Sequence, residues 1–204
     1  MFVTFEGGEG AGKSTQVKRA ALRLRALGRE VVETREPGGT AEAEAVRALL
    51  VSGDTGRWTP QAEALLNYAA RDSHLTKIIR PALARSAIVL CDRFMDSTRA
   101  YQGYAGGCGI SFIDALERGI VGDTRPDLTL VFDLDPEIGL ARAKARLDAK
   151  AEDRYERKGL AFHRLLRAGF LDIARKDPVR CRIVDASAGV DEVAEQVWSF
   201  IPHG

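Results

Sequence analysis

The sequence predicts an α/β protein: a five-stranded parallel sheet with helices on both faces, in one domain spanning residues 1–204. Three observations carry that prediction. Short apolar runs alternate with longer helical patterns from one end of the chain to the other. One run, Ala87-Ile88-Val89-Leu90-Cys91, is continuously apolar, as in a strand covered on both faces. A third signal lies near the start, where a short apolar run passes into Gly7-Gly8-Glu9-Gly10-Ala11-Gly12-Lys13-Ser14 and then into a helical pattern.

The elements follow in order. Phe2-Val3-Thr4-Phe5 reads as a buried first strand. Lys13 opens a helix to residue 27, with Val17, Ala20, Ala21, Leu24 and Leu27 at helical spacing. Gly28 closes that helix, and residues 30–34 give the second strand. Pro37-Gly38-Gly39 turns the chain into a helix over residues 41–51. Thr59-Pro60, an N-cap followed by proline at the first helical position, starts a helix to about residue 85, with Pro81 inside it as a kink or a stop. After the third strand at 87–91 come a short helix around 97–102 and another over 111–121. Residues 127–134 form the fourth strand, 136–149 and 154–177 two further helices, 180–185 the last strand and 190–200 the closing helix.

Composition narrows the function classes. The chain carries 30 basic and 29 acidic residues, net +1, a balance that calls for neither a nucleic acid nor an anionic membrane as partner. Cys91, Cys108 and Cys181 have no C-x-x-C spacing, so neither a disulfide framework nor a zinc site is expected. Cys91 and Cys181, in or beside apolar runs, read as small buried hydrophobes in a reducing compartment. With no secretory leader and no membrane-length apolar run, the expectation is a soluble cytoplasmic protein.

The glycine-rich loop carries the chemistry. Its backbone N–H groups can wrap a polyphosphate at the positive end of a helix. Lys13 is placed to reach the outer phosphates and Ser14 to ligate magnesium, so this is a nucleoside triphosphate site on a P-loop NTPase fold. In such sheets ligands sit beyond the carboxyl ends of the strands, which puts the loop, Arg35, Asp92 and Asp133 on one rim. Asp92 suits the magnesium shell, and Arg93, just past a buried strand, can be aimed by the rigid sheet; an Asp92–Arg93 ion pair is the competing reading. Glu9 is an unusual anion to find beside a triphosphate.

Further motifs narrow the choice among phosphate-loop proteins. The guanine signature N-K-x-D is absent. Present instead are Thr34-Arg35-Glu36-Pro37-Gly38-Gly39-Thr40, Tyr68-Ala69-Ala70-Arg71, Cys91-Asp92-Arg93-Phe94, Ala100-Tyr101-Gln102-Gly103 and Arg125-Pro126-Asp127-Leu128-Thr129. Together, and in this order, they resemble bacterial thymidylate kinase over essentially the whole chain. The resemblance implies ATP as donor, dTMP as acceptor and Mg2+, with direct in-line transfer. ATP would lie on Gly7 to Ser14, Thr15 and Arg142. The acceptor phosphate would meet Arg93 and Arg47, with Glu36 on the same side. Thr98, Gln102 and Arg71 would read the base edge, Tyr101 would pack on the deoxyribose, and Glu9 would position a sugar hydroxyl.

The loop interior holds no arginine, so positive charge at the transferred phosphate has to come from elsewhere. Arg142 and Arg146, four apart on one helical face, read either as a solvated basic face or, since Glu152-Asp153-Arg154-Tyr155-Glu156 resembles the family's lid boundary, as part of an arginine-bearing lid at about residues 142–156 with Arg146 at that phosphate. Where the family has a phenylalanine on the base, this chain has Asn67; either Tyr68 rotates in, the helix is shifted, or dTMP binds more weakly. His74 reads as a polar neighbour of the pocket, and His163 and His203 as surface residues. A homodimer through the helices at 59–85 and 111–120 is expected, as in the family. Two other readings stay open: a kinase of another acceptor, and a nucleotide-binding scaffold without turnover.

Overall fold

The structure, a computed structural model, describes residues 1–145 and 153–203. Five parallel strands, β1 (Phe2–Gly7), β2 (Val31–Arg35), β3 (Ile88–Asp92), β4 (Leu128–Asp133) and β5 (Cys181–Asp185), lie in the order β2-β3-β1-β4-β5. The first strand is central because it is apolar on both faces. Val3 and Phe5 join Leu128, Leu130 and Phe132 in one core, while Phe2 joins Val89 and Cys91 in the other. That alternation is the two-residue period of a strand. Cys91 and Cys181 are buried, as expected, and so is Cys108.

Helices α1 (Lys13–Ala26) and α9 (Val190–Phe200) cover the first core. Between β2 and β3 run α2 (Ala41–Val51), α3 (Pro60–His74) and α4 (Arg80–Ala84). Thr40 and Thr59 cap α2 and α3, each accepting a backbone N–H at 3.2 Å, and each cap stabilises by about 1 kcal/mol. The single helix expected up to residue 85 is interrupted by a π-helical stretch, Leu75–Ile79. Pro81 explains it: the residue has no N–H to donate and its ring crowds the carbonyl of Lys77, so the helix widens just before it.

Past β3, α5 (Met95–Thr98) runs into a second π stretch, Arg99–Ala105, where a helix at 97–102 was expected. Then come α6 (Ile110–Ile120), α7 (Pro136–Lys144) and α8 (Leu160–Lys176). The helix expected over 154–177 is split at Gly159, whose φ of 82° ends a short 3-10 turn (Glu156–Lys158) and starts α8. Residues 146–149 of the helix expected over 136–149, and Arg146 with them, lie outside the described residues.

Candidate active site

The loop between β1 and α1 is held in place by backbone. At Gly10, φ is 67° and a Cβ would stand 2.0 Å from the carbonyl oxygen of Gly139 in α7; a Cβ on Gly139 would stand 2.4 Å from the carbonyl oxygen of Glu9. Only glycine at both places lets the loop and the first turn of α7 meet this closely. Lys13 is almost fully buried, and its Nζ donates to the Gly8 carbonyl at 2.7 Å across the loop mouth. Burial, then Arg93, depress its ammonium to about 8, with Asp92 and Glu9 offsetting part of the effect. The Ser14 hydroxyl donates to Asp92 at the end of β3. A hydroxyl and a carboxylate side by side, both hard oxygen donors, fit magnesium, which takes one or two protein oxygens and the rest from phosphate and water. Thr15 is exposed on α1, and Arg142 is exposed with its Nη1 on the Ala186 carbonyl at 3.2 Å, in the loop after β5.

Arg93 does not pair with Asp92. It adopts a left-handed conformation, φ 69°, that an arginine keeps only under constraint. Its N–H donates to Phe5 O at 3.0 Å, the Cys91 thiol donates to its carbonyl at 3.0 Å, and the next N–H, of Phe94, donates to buried Glu6 at 2.8 Å. So held, the guanidinium reaches Gly7 O at 2.8 Å and Glu9 at 3.1 Å. The Tyr101 hydroxyl donates to the same Glu9 oxygen, and the Arg93 guanidinium lies 5.1 Å over the Tyr101 ring. Burial pushes the Tyr101 hydroxyl well above its usual value, so it stays a donor. Burial also favours a neutral Glu9, but Arg93 and Lys13 outweigh it and hold the carboxyl at about 2.

Behind Arg93 lies a deeper pocket between α2, α3 and the second π stretch. Arg71, fully buried, donates through Nε to Glu36 at 2.8 Å and through Nη2 to Thr98 at 3.0 Å, while its Nη1 has no partner. The unpartnered donor belongs to a residue that lines the pocket. Glu36 is shared between Arg71 and His74, whose Nδ1 lies 3.0 Å away; His74 is fully buried on the far side of the pair. Arg47 Nη1 donates to Pro37 O at 3.1 Å. The Asn67 amide turns back on its own helix, donating to the Glu63 carbonyl at 2.8 Å. Tyr68 does not rotate into the pocket. It is buried in the second core with the Arg71 guanidinium 4.5 Å over its ring.

The two cavities share a wall: Glu9, Glu36, Arg47 and Arg93 line both the loop-side cavity and the deeper pocket. Every acceptor residue named from sequence lines the deeper one. Pro37, Val51, Phe94, Ser97, Tyr155 and Glu156 also line it and were not foreseen. Phe94 directly follows the D-R pair and was legible as a motif member; Tyr155 comes from a part of the chain remote in sequence. His163 is not a surface residue: it is buried, with Nε2 at 3.1 Å from the Tyr155 carbonyl. Its place on the inner face of α8, three residues before Leu166, is the signal that was missed. His203 is exposed, stacked on Trp198.

A phosphate-binding loop facing a second, arginine-lined pocket across a common wall defines the class: a P-loop kinase acting on a phosphorylated acceptor. The chain belongs to the thymidylate kinase family, whose model matches residues 5–197. It is 57% identical to the thymidylate kinase of Caulobacter vibrioides, over 98% of this chain and 95% of that one. It is 52% identical to that of Bradyrhizobium sp. (strain BTAi1), over 98% of this chain and 88% of the relative. The solved thymidylate kinase of Ehrlichia chaffeensis, 37% identical, matches with a TM-score of 0.79, covering 98% of this chain and 96% of the other. Among the described residues no helix is long and apolar enough to cross a membrane.

Proposed function

We propose that the chain carries out the reaction of its family, phosphorylation of dTMP to dTDP, with ATP as donor and magnesium on the donor phosphates. One observation carries the assignment of residues: the wall of Glu9, Glu36, Arg47 and Arg93 common to both cavities. Two phosphorylated ligands seated either side of it have their phosphates facing each other, the geometry that in-line transfer requires.

In this reading Gly7 to Ser14 wrap the ATP phosphates and Lys13 neutralises the outer ones. Magnesium, held by Ser14 and Asp92, would supply charge neutralisation at those phosphates. Arg93 and Arg47 take the acceptor phosphate, and the unpartnered Arg71 Nη1, with Thr98 and Gln102, reads the base edge. Tyr101 packs on the deoxyribose, and Glu9 orients a sugar hydroxyl. Arg142 lies toward the adenine and Arg146 serves the transferred phosphate as part of a lid at about 142–156. The whole chain works as one nucleoside monophosphate kinase domain, in the cytoplasm, as a homodimer. Half-exposed Leu65 on α3 supports an interface there, which sedimentation at defined concentration tests.

The test of the reaction is ADP release with ATP and magnesium against dTMP, dUMP, UMP, dCMP and dGMP. Preference for dTMP, with UMP disfavoured and the bias lost in Tyr101→Ala, is the expected result. Turnover that ignores the acceptor would overturn it. Arg146→Ala should lower kcat and leave dTMP affinity in place.

A further inference from the structure

Glu63, in α3 and 1% exposed, gathers four side chains. Its Oε1 accepts from Arg154 Nη2 and from Lys158 Nζ at 3.2 Å; its Oε2 accepts from Gln102 Nε2 at 2.8 Å and from the Tyr155 hydroxyl at 3.1 Å. The Gln102 nitrogen also reaches the Tyr155 hydroxyl oxygen at 3.4 Å. A glutamine amide nitrogen has two protons, and these two contacts use both. The network also decides which way the amide faces, because a carboxylate accepts and cannot donate. With nitrogen committed to Glu63, the carbonyl oxygen is the polar atom that Gln102 has left for the pocket it lines.

Glu63 is itself braced from behind. Arg154 is fully buried and donates to the carbonyls of Leu50, Asp54 and Thr55 at 3.0, 2.8 and 3.0 Å, at the end of α2. That anchor fixes the carboxylate toward the pocket and, with Lys158, supplies its counter-charge.

We propose that Glu63 is a positioning residue that sets base specificity by holding Gln102 with only its carbonyl oxygen facing the acceptor base. The site then favours a pyrimidine that offers a ring N–H, as thymine does, over one that offers a ring-nitrogen lone pair, as cytosine does. The inference rests on the dTMP reading of the pocket. A glutamine at position 63 could donate to the Gln102 oxygen, which would let the amide turn and present its nitrogen instead.

The experiment is a cycle of Glu63→Gln, Gln102→Ala and the double variant, each assayed for kcat/KM with dTMP and with dCMP. Glu63→Gln should lower the dTMP-to-dCMP ratio about tenfold or more, mainly through KM for dTMP, as when a polar site faces the wrong partner. In the Gln102→Ala background the same change should leave the ratio where it is. A uniform loss of activity at constant ratio, or an equal fall of the ratio in both backgrounds, overturns the proposal. Should Glu63→Gln not fold, Glu63→Asp keeps a negative charge beside Arg154 and Lys158 but shortens the side chain by one methylene and so loosens its hold on Gln102, and the same ratio decides. A wild-type enzyme with no preference for dTMP over dCMP sinks the pocket reading as well; a wild-type preference with an additive cycle sinks only the role of Glu63.

Discussion

The loop-side cavity and the deeper pocket are built in opposite ways. The loop is one contiguous stretch whose ligand groups are backbone N–H with the Lys13 and Ser14 side chains, fixed by glycine conformation and its contact with α7. The deeper pocket draws side chains from α2, α3, the turn after β3, a π stretch and the segment before α8. Two of its cations are held by carboxylates, Arg71 by buried Glu36 and Arg93 by Glu9. Folding of this half therefore depends on the groups that are to bind the ligand, whereas the loop half binds with groups the fold can spare. The lesson is that substitutions in the deeper pocket should cost stability together with binding, and substitution of the loop's phosphate-facing Lys13 turnover alone.

Glu36→Ala tests the first half of that contrast most severely. It strands the buried Arg71 and should destabilise by roughly 3–5 kcal/mol, read by urea unfolding. A variant as stable as the parent would break the comparison. Lys13→Ala tests the other half: kcat should fall by about 10²–10³-fold, with the melting temperature held or raised, because a buried ammonium is removed. Co-operative loss of stability there would break the comparison from the opposite side.

Smaller effects sharpen it. Asn67→Phe should lower the Kd for dTMP by about fivefold, the low end of a base–aromatic stack, measured by calorimetry, with ATP binding unmoved. Last comes pH. Lys13 is charged below about 8 and neutral above it, so kcat/KM for ATP should fall as pH rises through about 8. Glu9, held at about 2, should contribute no acid limb in the working range. Lys13→Arg, always charged, should lose the alkaline limb; a limb that persists assigns it to another group.

The same contrast explains what could be read from sequence. The loop was legible because its physics is local: glycines, a lysine and a serine at fixed spacing between a strand and a helix. The five strands were legible too, since a parallel sheet needs apolar runs. Acceptor residues such as Arg71, Thr98 and Gln102 came through resemblance, because nothing in a helix's own periodicity says that its arginine is buried against a glutamate two elements away. Glu63, Arg154 and His163 were opaque for the same reason. Each is a polar residue whose burial is set by partners distant in sequence, 91 positions apart for Arg154 and Glu63. The π stretch at 75–79 lay between: Pro81 announced a disturbance, though not its form.

The meeting of Gly10 with Gly139 has a consequence for how such a sequence can drift over generations. A Cβ on either residue runs into backbone of the opposite segment rather than into the other's side chain. No second substitution across the contact can therefore make room for the first. The two sites should stay fixed independently, leaving no trace of correlated change, although they are 129 residues apart in the chain and touch in space.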